Sequence, residues 1–249
     1  MRKYTHILWD WNGTLLDDVA WCMACINAML NKRGLPALDT VEAYRAVFGF
    51  PVIDYYRRAG FDFEKEPYVN LAAEFIDRYY GYESRPNDSR LAVFPGAAET
   101  LSAFREAGVR QILLSASEMN YLLAQVNQFG MAVYFDEILG ISDIYAAGKT
   151  ELGIGYIRRE KPEKAVLIGD TPHDLDVARA LGVYCILVAS GHQSKDALLS
   201  AGGACEEAGG TQPAAGKTQI AAGKTQTAVG KVQTFVVVDA LSDIYGYIL

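Results

Sequence analysis

The chain has 249 residues, 51% of them hydrophobic and 21% charged, with a net charge of −7. It is too long for a disulfide-stapled miniprotein and too apolar for a disordered chain, and its length suits one or two domains. The acidic balance excludes a nucleic-acid binder that works through a broad basic face, but not a small anionic ligand held by a local cation.

No apolar run approaches the roughly 20 residues that a membrane helix needs. The N-terminus has a basic start, but Asp10 breaks its apolar stretch too early for a signal peptide. Four cysteines are too few for a disulfide framework. Cys22 and Cys25 form a CxxC inside an apolar helical pattern, without the further ligands of a zinc site, and read as buried thiols. A cytoplasmic protein with no membrane partner is expected.

In chain order, residues 5–9 read as a short buried strand ending at Asp10-Trp11-Asn12-Gly13-Thr14. From 17 to 88 the pattern is helical, with helices at 19–33, 40–48, 52–59 and 67–82 and no strand. Gly34 and Pro36 stop the first of these. Beyond Pro95-Gly96, helices at 97–107, 118–129, 150–159 and 173–181 alternate with strands at 110–114, 137–139, 165–168 and 183–188. A helix at 196–199, a strand at 235–238 and a helix at 240–248 close the chain. Strands alternating with helices predict a Rossmann-like α/β core, a parallel sheet with helices on both faces. The helical block predicts an inserted cap, residues 17–88, in a core built from 1–16 and 89–249.

Residues 202–234 depart from this pattern. They are rich in Gly, Ala, Thr and Gln and hold three tandem heptads, AAGKTQI from Ala214, AAGKTQT from Ala221 and AVGKVQT from Ala228. A Gly in every repeat, without large apolar a/d pairs, argues against a coiled coil. The Gly-Lys-Thr repeats fail as a phosphate-binding P-loop, because Thr211 and Thr218 stand where its first Gly is needed. The stretch reads as a solvated insertion within the core.

Reactive groups in a parallel α/β sheet gather at the carboxyl ends of its strands. Asp10, Ser115 and Asp170 fall at such ends, Asp174 follows at the start of a helix, and Lys149 precedes the helix at 150. These carboxylates suit a hard divalent cation such as Mg²⁺, which takes oxygen ligands, and the hydroxyl and ammonium suit a phosphoryl group. Singly, each Asp is more often a helix cap and the Lys a solvated residue. Their joint order along the chain points to chemistry.

That set of motifs resembles the haloacid dehalogenase superfamily of phosphatases. Asp10-Trp11-Asn12-Gly13-Thr14 matches its DxDxT motif except at the third position. Leu113-Leu114-Ser115 matches the second motif, Lys149 the third, and Gly169-Asp170-Thr171-Pro172-His173-Asp174 the GDxxxD form of the fourth. The helical block is similar to the cap of the phosphoglycolate phosphatase and β-phosphoglucomutase branch. The resemblance implies that Asp10 attacks phosphorus to form an aspartyl-phosphate. It implies Mg²⁺ on Asp10, the carbonyl of Asn12 and Asp170, with Asp174 as ligand or just behind. Ser115, Ala116 and Lys149 would hold the phosphoryl group of a small phosphorylated metabolite.

Asn12 is the departure. The family's Asp there protonates the leaving oxygen and later activates water, and an amide does neither. A missing general acid/base lowers rate by about 10²–10⁴-fold. A slow phosphatase, one restricted to good leaving groups, and one using another acid all remain open, as do a non-catalytic phospho-ligand-binding protein and a dehalogenase. His173, Asp17 and Asp18 are candidate replacements, although structural roles are more common for each. Restoring Asp at 12 is expected to raise turnover on alkyl phosphates. His192 lies at the active edge with a loop role favoured, His6 reads as core, and Arg45, Tyr55 and Tyr56 in the helical block are candidates for reading the substrate's far end.

Overall fold

The computed structural model describes residues 3–81, 89–142, 149–203, 222–226 and 232–249, with side chains of 202–203, 222–226 and 232–234 excepted. β1 (His6–Trp9) runs through a two-residue strand, β2 (Leu16–Asp17), into α1 (Val19–Lys32), α2 (Val41–Val47), α3 (Val52–Arg58) and α4 (Tyr68–Tyr80). Thr40 caps α2 by accepting from the Ala43 amide at 3.1 Å. β3 (Ala92–Val93) returns antiparallel to β2, so one small ribbon ties together both ends of the helical block.

Alternation then sets in with α5 (Ala97–Glu106), β4 (Arg110–Glu118), α6 (Met119–Gln128), β5 (Glu137–Ile141), α7 (Thr150–Glu160), β6 (Ala165–Gly169) and α8 (Pro172–Leu181). The chain ends through β7 (Tyr184–Val188), α9 (Lys195–Gly203), β8 (Ala222–Gln226), β9 (Val232–Val238), a 3₁₀ turn over Leu241–Ile244 and α10 (Tyr245–Ile248).

The main sheet has the order β5-β4-β1-β6-β7-β9-β8. Six strands are parallel, and β8 pairs antiparallel at the edge. Both faces are covered. Ile7 and Trp9 of β1 and Val166 and Ile168 of β6 pack into one apolar cluster with α1, α5 and α6. Leu8 and Leu167, pointing the other way, pack with Tyr156 of α7 and Leu175 of α8. Such two-sided burial is what a parallel sheet demands of its strands. β4 and β6 flank β1, so Asp10, Ser115 and Asp170 meet at one edge.

The elements differ from expectation in places. β2 and β3 are two residues long, too short to carry a periodic signal. β4 continues to Glu118, so Ser115 lies within the strand, where the pairing with β5 shifts register between Leu114 and Glu118. Within the repeat stretch, residues 222–226 form β8, and β9 begins at Val232 rather than at 235. That segment extends the sheet rather than standing clear of it. The β-branched run from 234 onward favours a strand. The first heptad, Cys205 and Tyr82, the expected end of α4, lie outside the described residues.

Candidate active site

Asp10 leaves β1 with its backbone N–H donating to the Ile168 carbonyl at 2.8 Å, which anchors it beside β6. Gly13 then turns the chain at φ +73°, and a Cβ there would overlap the Asp170 carboxylate. Thr14 donates from its hydroxyl to Asp10 (3.3 Å) or Asp170 (3.4 Å). Gly169 plays a similar part, since a Cβ on it would run into the Asp174 side chain.

Asp170 is completely buried, and Asp174 and Lys149 are nearly so. Lys149 donates to Asp10 at 2.5 Å and also to Asp174. The second oxygen of Asp174 accepts from the backbone N–H groups of Asp170 (3.2 Å) and Thr171 (3.0 Å) and from the Thr171 hydroxyl (2.7 Å). This capping box starts α8, with Pro172 in its first turn.

Burial pushes Asp10 up to about 6, with Asp174 adding and Lys149 opposing. Burial, reinforced by Asp10 and Asp174, pushes Asp170 up to about 8. Asp174 is also opposed by burial, but Lys149 and the Thr171 hydroxyl hold it below the usual carboxylate value. Oxygens of Asp10, Asp170 and Asp174 all lie within 4.8 Å of one another. Three buried carboxylates share one lysine, an excess of negative charge on hard oxygen donors, and this fits a divalent cation such as Mg²⁺.

Ser115 is buried, and its oxygen accepts from the Ser117 N–H at 3.1 Å, leaving its own proton available. Ala116 lines the same cavity.

Asn12 is held on every side. Its amide donates to Asp18 at 2.9 Å and to the Tyr79 hydroxyl at 2.8 Å, and its oxygen accepts from Ser117 Oγ at 3.0 Å. Asp18 also accepts from Tyr79 (2.6 Å), the Gly13 N–H (3.0 Å) and His192 Nε2 (3.0 Å). His192 Nδ1 lies 2.9 Å from the Tyr44 hydroxyl, and the His192 N–H donates to Asp170 at 2.6 Å. Burial opposes charge on His192, yet Asp18 holds its pKa up at about 9. Burial likewise opposes Asp18, and His192 outweighs it. Asp18 and His192 are therefore a buried ion pair. The sequence placed both near the site without revealing that they meet, and it carried no signal for Tyr79, which reads as one more aromatic on a helix.

Tyr55 and Tyr56 line the cavity, as does half-buried His173, whose ring stacks on Phe50 with centroids 4.5 Å apart. Burial and then Lys149 hold His173 below its usual pKa. Arg45 is a correction. It donates to the Ser190 and Gly191 carbonyls at 2.6–3.0 Å, tying α2 to the loop after β7, and does not line the cavity. A guanidinium satisfied by three carbonyl contacts serves docking rather than substrate reading. Asp17 is half-buried and does not line the cavity.

A parallel α/β sheet with carboxylates, a lysine and a serine gathered at one edge has the parts of a phosphoryl-handling site. The model of the haloacid dehalogenase-like hydrolase family matches residues 7–188, and the chain belongs to that family. It is 24% identical over 190 residues to a phosphoglycolate phosphatase of Pseudomonas fluorescens, covering 75% of this chain and 70% of that one. It is 26% identical over 200 residues to the tyrosine-protein kinase PtkA of Mycobacterium tuberculosis, covering 76% of this chain and 64% of that protein. In fold it matches a predicted phosphatase from Clostridium acetobutylicum with TM-score 0.64 at 24% identity, over 80% of this chain and 91% of that one. A phosphoglycolate phosphatase of Caulobacter vibrioides is 27% identical over 195 residues, covering 75% of this chain and 79% of that one. Among the described residues, no helix is long and apolar enough to cross a membrane.

Proposed function

We propose that this protein is a Mg²⁺-dependent phosphatase of small phosphorylated metabolites that works through an aspartyl-phosphate on Asp10. The observation that carries this reading is Lys149, a buried cation bridging Asp10 and Asp174 beside Asp170 and Ser115. A carboxylate repels a phosphate dianion, and an adjacent ammonium offsets that repulsion.

Asp10, Asp170 and the backbone carbonyl of Asn12 would hold the Mg²⁺. Asp174, whose oxygens are taken up by Lys149 and by the first turn of α8, would orient Lys149 rather than ligate. When bound, the ion supplies positive charge against Asp10 and the phosphoryl oxygens. An Asp10 oxygen forms the bond to phosphorus while the ester P–O bond breaks, its electron pair leaving with the ester oxygen. The Ser115 hydroxyl, its proton uncommitted, donates to a phosphoryl oxygen, and Ala116 lines the same side. Water then attacks phosphorus as the bond to the Asp10 oxygen breaks, the electron pair returning to the Asp10 carboxylate and a water proton passing to a phosphoryl oxygen. The helical block, residues 17–88, acts as the cap, because α1, α3 and α4, with Phe48 and Phe50 between helices, supply much of the cavity wall above these groups.

The assay is phosphate release from a panel of phosphorylated metabolites, beginning with phosphoglycolate, with and without Mg²⁺. Acid quench and mass spectrometry should find phosphate on Asp10. Release that persists undiminished in EDTA would remove the metal from the scheme, and no release from any substrate would remove the phosphatase.

A further inference from the structure

The cavity wall contributed by the helical block is aromatic. Phe48, Phe50, Tyr55, Phe75 and Tyr79 line it, with Val52 at the rim. Among the described residues, Lys149 is the only lysine or arginine on the cavity, and it is held between Asp10 and Asp174. The block's nearby arginines are engaged elsewhere: Arg45 with backbone carbonyls, Arg57 with Asp54, and Arg58 with the Val47 carbonyl at 2.8 Å. His192 is bonded on both ring nitrogens and His173 lies under Phe50. A leaving group bearing a carboxylate would give up its water here and gain no ion partner.

One further observation bears on the same group. The Asn12 amide, locked by Asp18, Tyr79 and Ser117, offers no proton to a departing oxygen.

We propose that the site takes small aryl phosphates, monoesters of an uncharged phenolic ring. This rests on the phosphatase reading above and names its substrate class. The cavity measures about 240 Å³, and roughly 150 Å³ suffices for a benzene ring, so ring and phosphoryl group fit together. When the P–O bond breaks, the electron pair leaves on a phenoxide, whose conjugate acid has a pKa of about 10. An alkoxide, closer to water at about 15.7, needs the proton that Asn12 lacks.

The test compares kcat/KM, with Mg²⁺, for phenyl phosphate, acetyl phosphate, phosphoglycolate, glycerol 3-phosphate and a phosphotyrosyl peptide. Phenyl phosphate should exceed both alkyl esters by about a hundredfold or more, in line with a missing acid. Acetyl phosphate, a good leaving group without a ring, separates ring binding from leaving-group chemistry. Phe50 is 41% exposed at the rim, so Phe50→Ala should fold, and it should lower the phenyl-to-acetyl ratio about tenfold. An unchanged ratio in both Phe50→Ala and Phe75→Leu overturns the inference. So does an alkyl ester turned over as well as phenyl phosphate, which leaves the phosphatase reading standing. A peptide preferred over phenyl phosphate overturns the small-molecule source. Should no ester release phosphate, the phosphatase reading falls, and binding to the Asp10→Asn protein decides the ring question. Thermal shifts as large with phosphoglycolate as with phenyl phosphate would then overturn it.

Discussion

Replacing Asn12 with the family's Asp should restore a general acid, at a cost in stability that grows with pH. In the native site the Asn12 amide donates to Asp18 at 2.9 Å. Asn12→Asp removes that donor and sets two carboxylates against each other in a buried place. Even if they part to about 4 Å, the repulsion is about 4 kcal/mol at an effective dielectric of about 20, or about three pKa units. His192 already spends its charge on the far oxygen of Asp18, so it offsets only part of this. The new carboxyl is thus held well above the usual value of about 3.9 and stays protonated in the native state through neutral pH. Sign follows from linkage: a carboxyl raised in the folded state destabilises progressively as pH climbs from its unfolded value through its folded one. The Tm deficit of Asn12→Asp against wild type should be small at pH 4 and grow toward pH 8. Phosphate release from glycerol 3-phosphate at pH 7 should rise by about a hundredfold, because a carboxyl that keeps its proton near neutral pH is able to give it to the departing oxygen. A pH-independent Tm deficit, or no gain on the alkyl ester, would refute the reasoning.

Other perturbations follow from the same geometry. Asp10→Asn should leave no measurable turnover, and retention of a tenth of wild-type Mg²⁺-dependent release would count against Asp10 as nucleophile. Lys149→Met keeps the volume but leaves Asp10 and Asp174 buried without their cation, which should lower unfolding free energy by about 3–5 kcal/mol in urea titrations; a loss under about 1 kcal/mol would contradict the buried bridge. In EDTA, Asp10 at about 6 and Asp170 at about 8 hold protons that the unfolded chain releases near 4, and His192 at about 9 holds one that it releases near 6.5. Metal-free stability should therefore fall from pH 5 to pH 8 and be recovered at pH 8 by Mg²⁺; a Tm that rises with pH in EDTA would refute the shifts.

The candidate site's edge was legible because its residues belong to three strands that lie side by side. Asp10, Ser115 and Asp170 each sit at or near the carboxyl end of β1, β4 or β6, and a strong apolar run announces each strand. Helix α8 announced itself too, through Thr171, Pro172 and Asp174. The ribbon of β2 and β3 was not legible, because two residues cannot display a period of two. Arg45 misled for a different reason. A cation in the helical block reads as a substrate contact until the carbonyls of Ser190 and Gly191, some 145 residues away, are seen to accept from it. The surroundings of Asn12 were hidden in the same way, since Tyr79 comes from α4, Ser117 from β4 and His192 from the loop after β7.

Charge counting explains why an amide belongs at position 12. Asp10, Asp18, Asp170 and Asp174 are four carboxylates buried around one cavity, faced by two buried cations, Lys149 and His192. With all six charged, two negative charges remain, the charge of one Mg²⁺. Asp18 sits next to Asn12 and is held ionised by His192. A fifth carboxylate at 12 would leave three negative charges, more than a single divalent cation neutralises, in a site that must also admit a phosphate dianion. The amide instead bridges Asp18, Tyr79 and Ser117 without charge, and so joins the helical block to the core at the catalytic edge. The missing acid and the Asp18–His192 pair are then two sides of one charge arrangement in the site. It follows that Asn12→Asp combined with Asp18→Asn, which restores the count of four carboxylates, should recover more stability at pH 8 than the sum of the single effects allows. Additive effects in that cycle would separate the two residues and dissolve the argument.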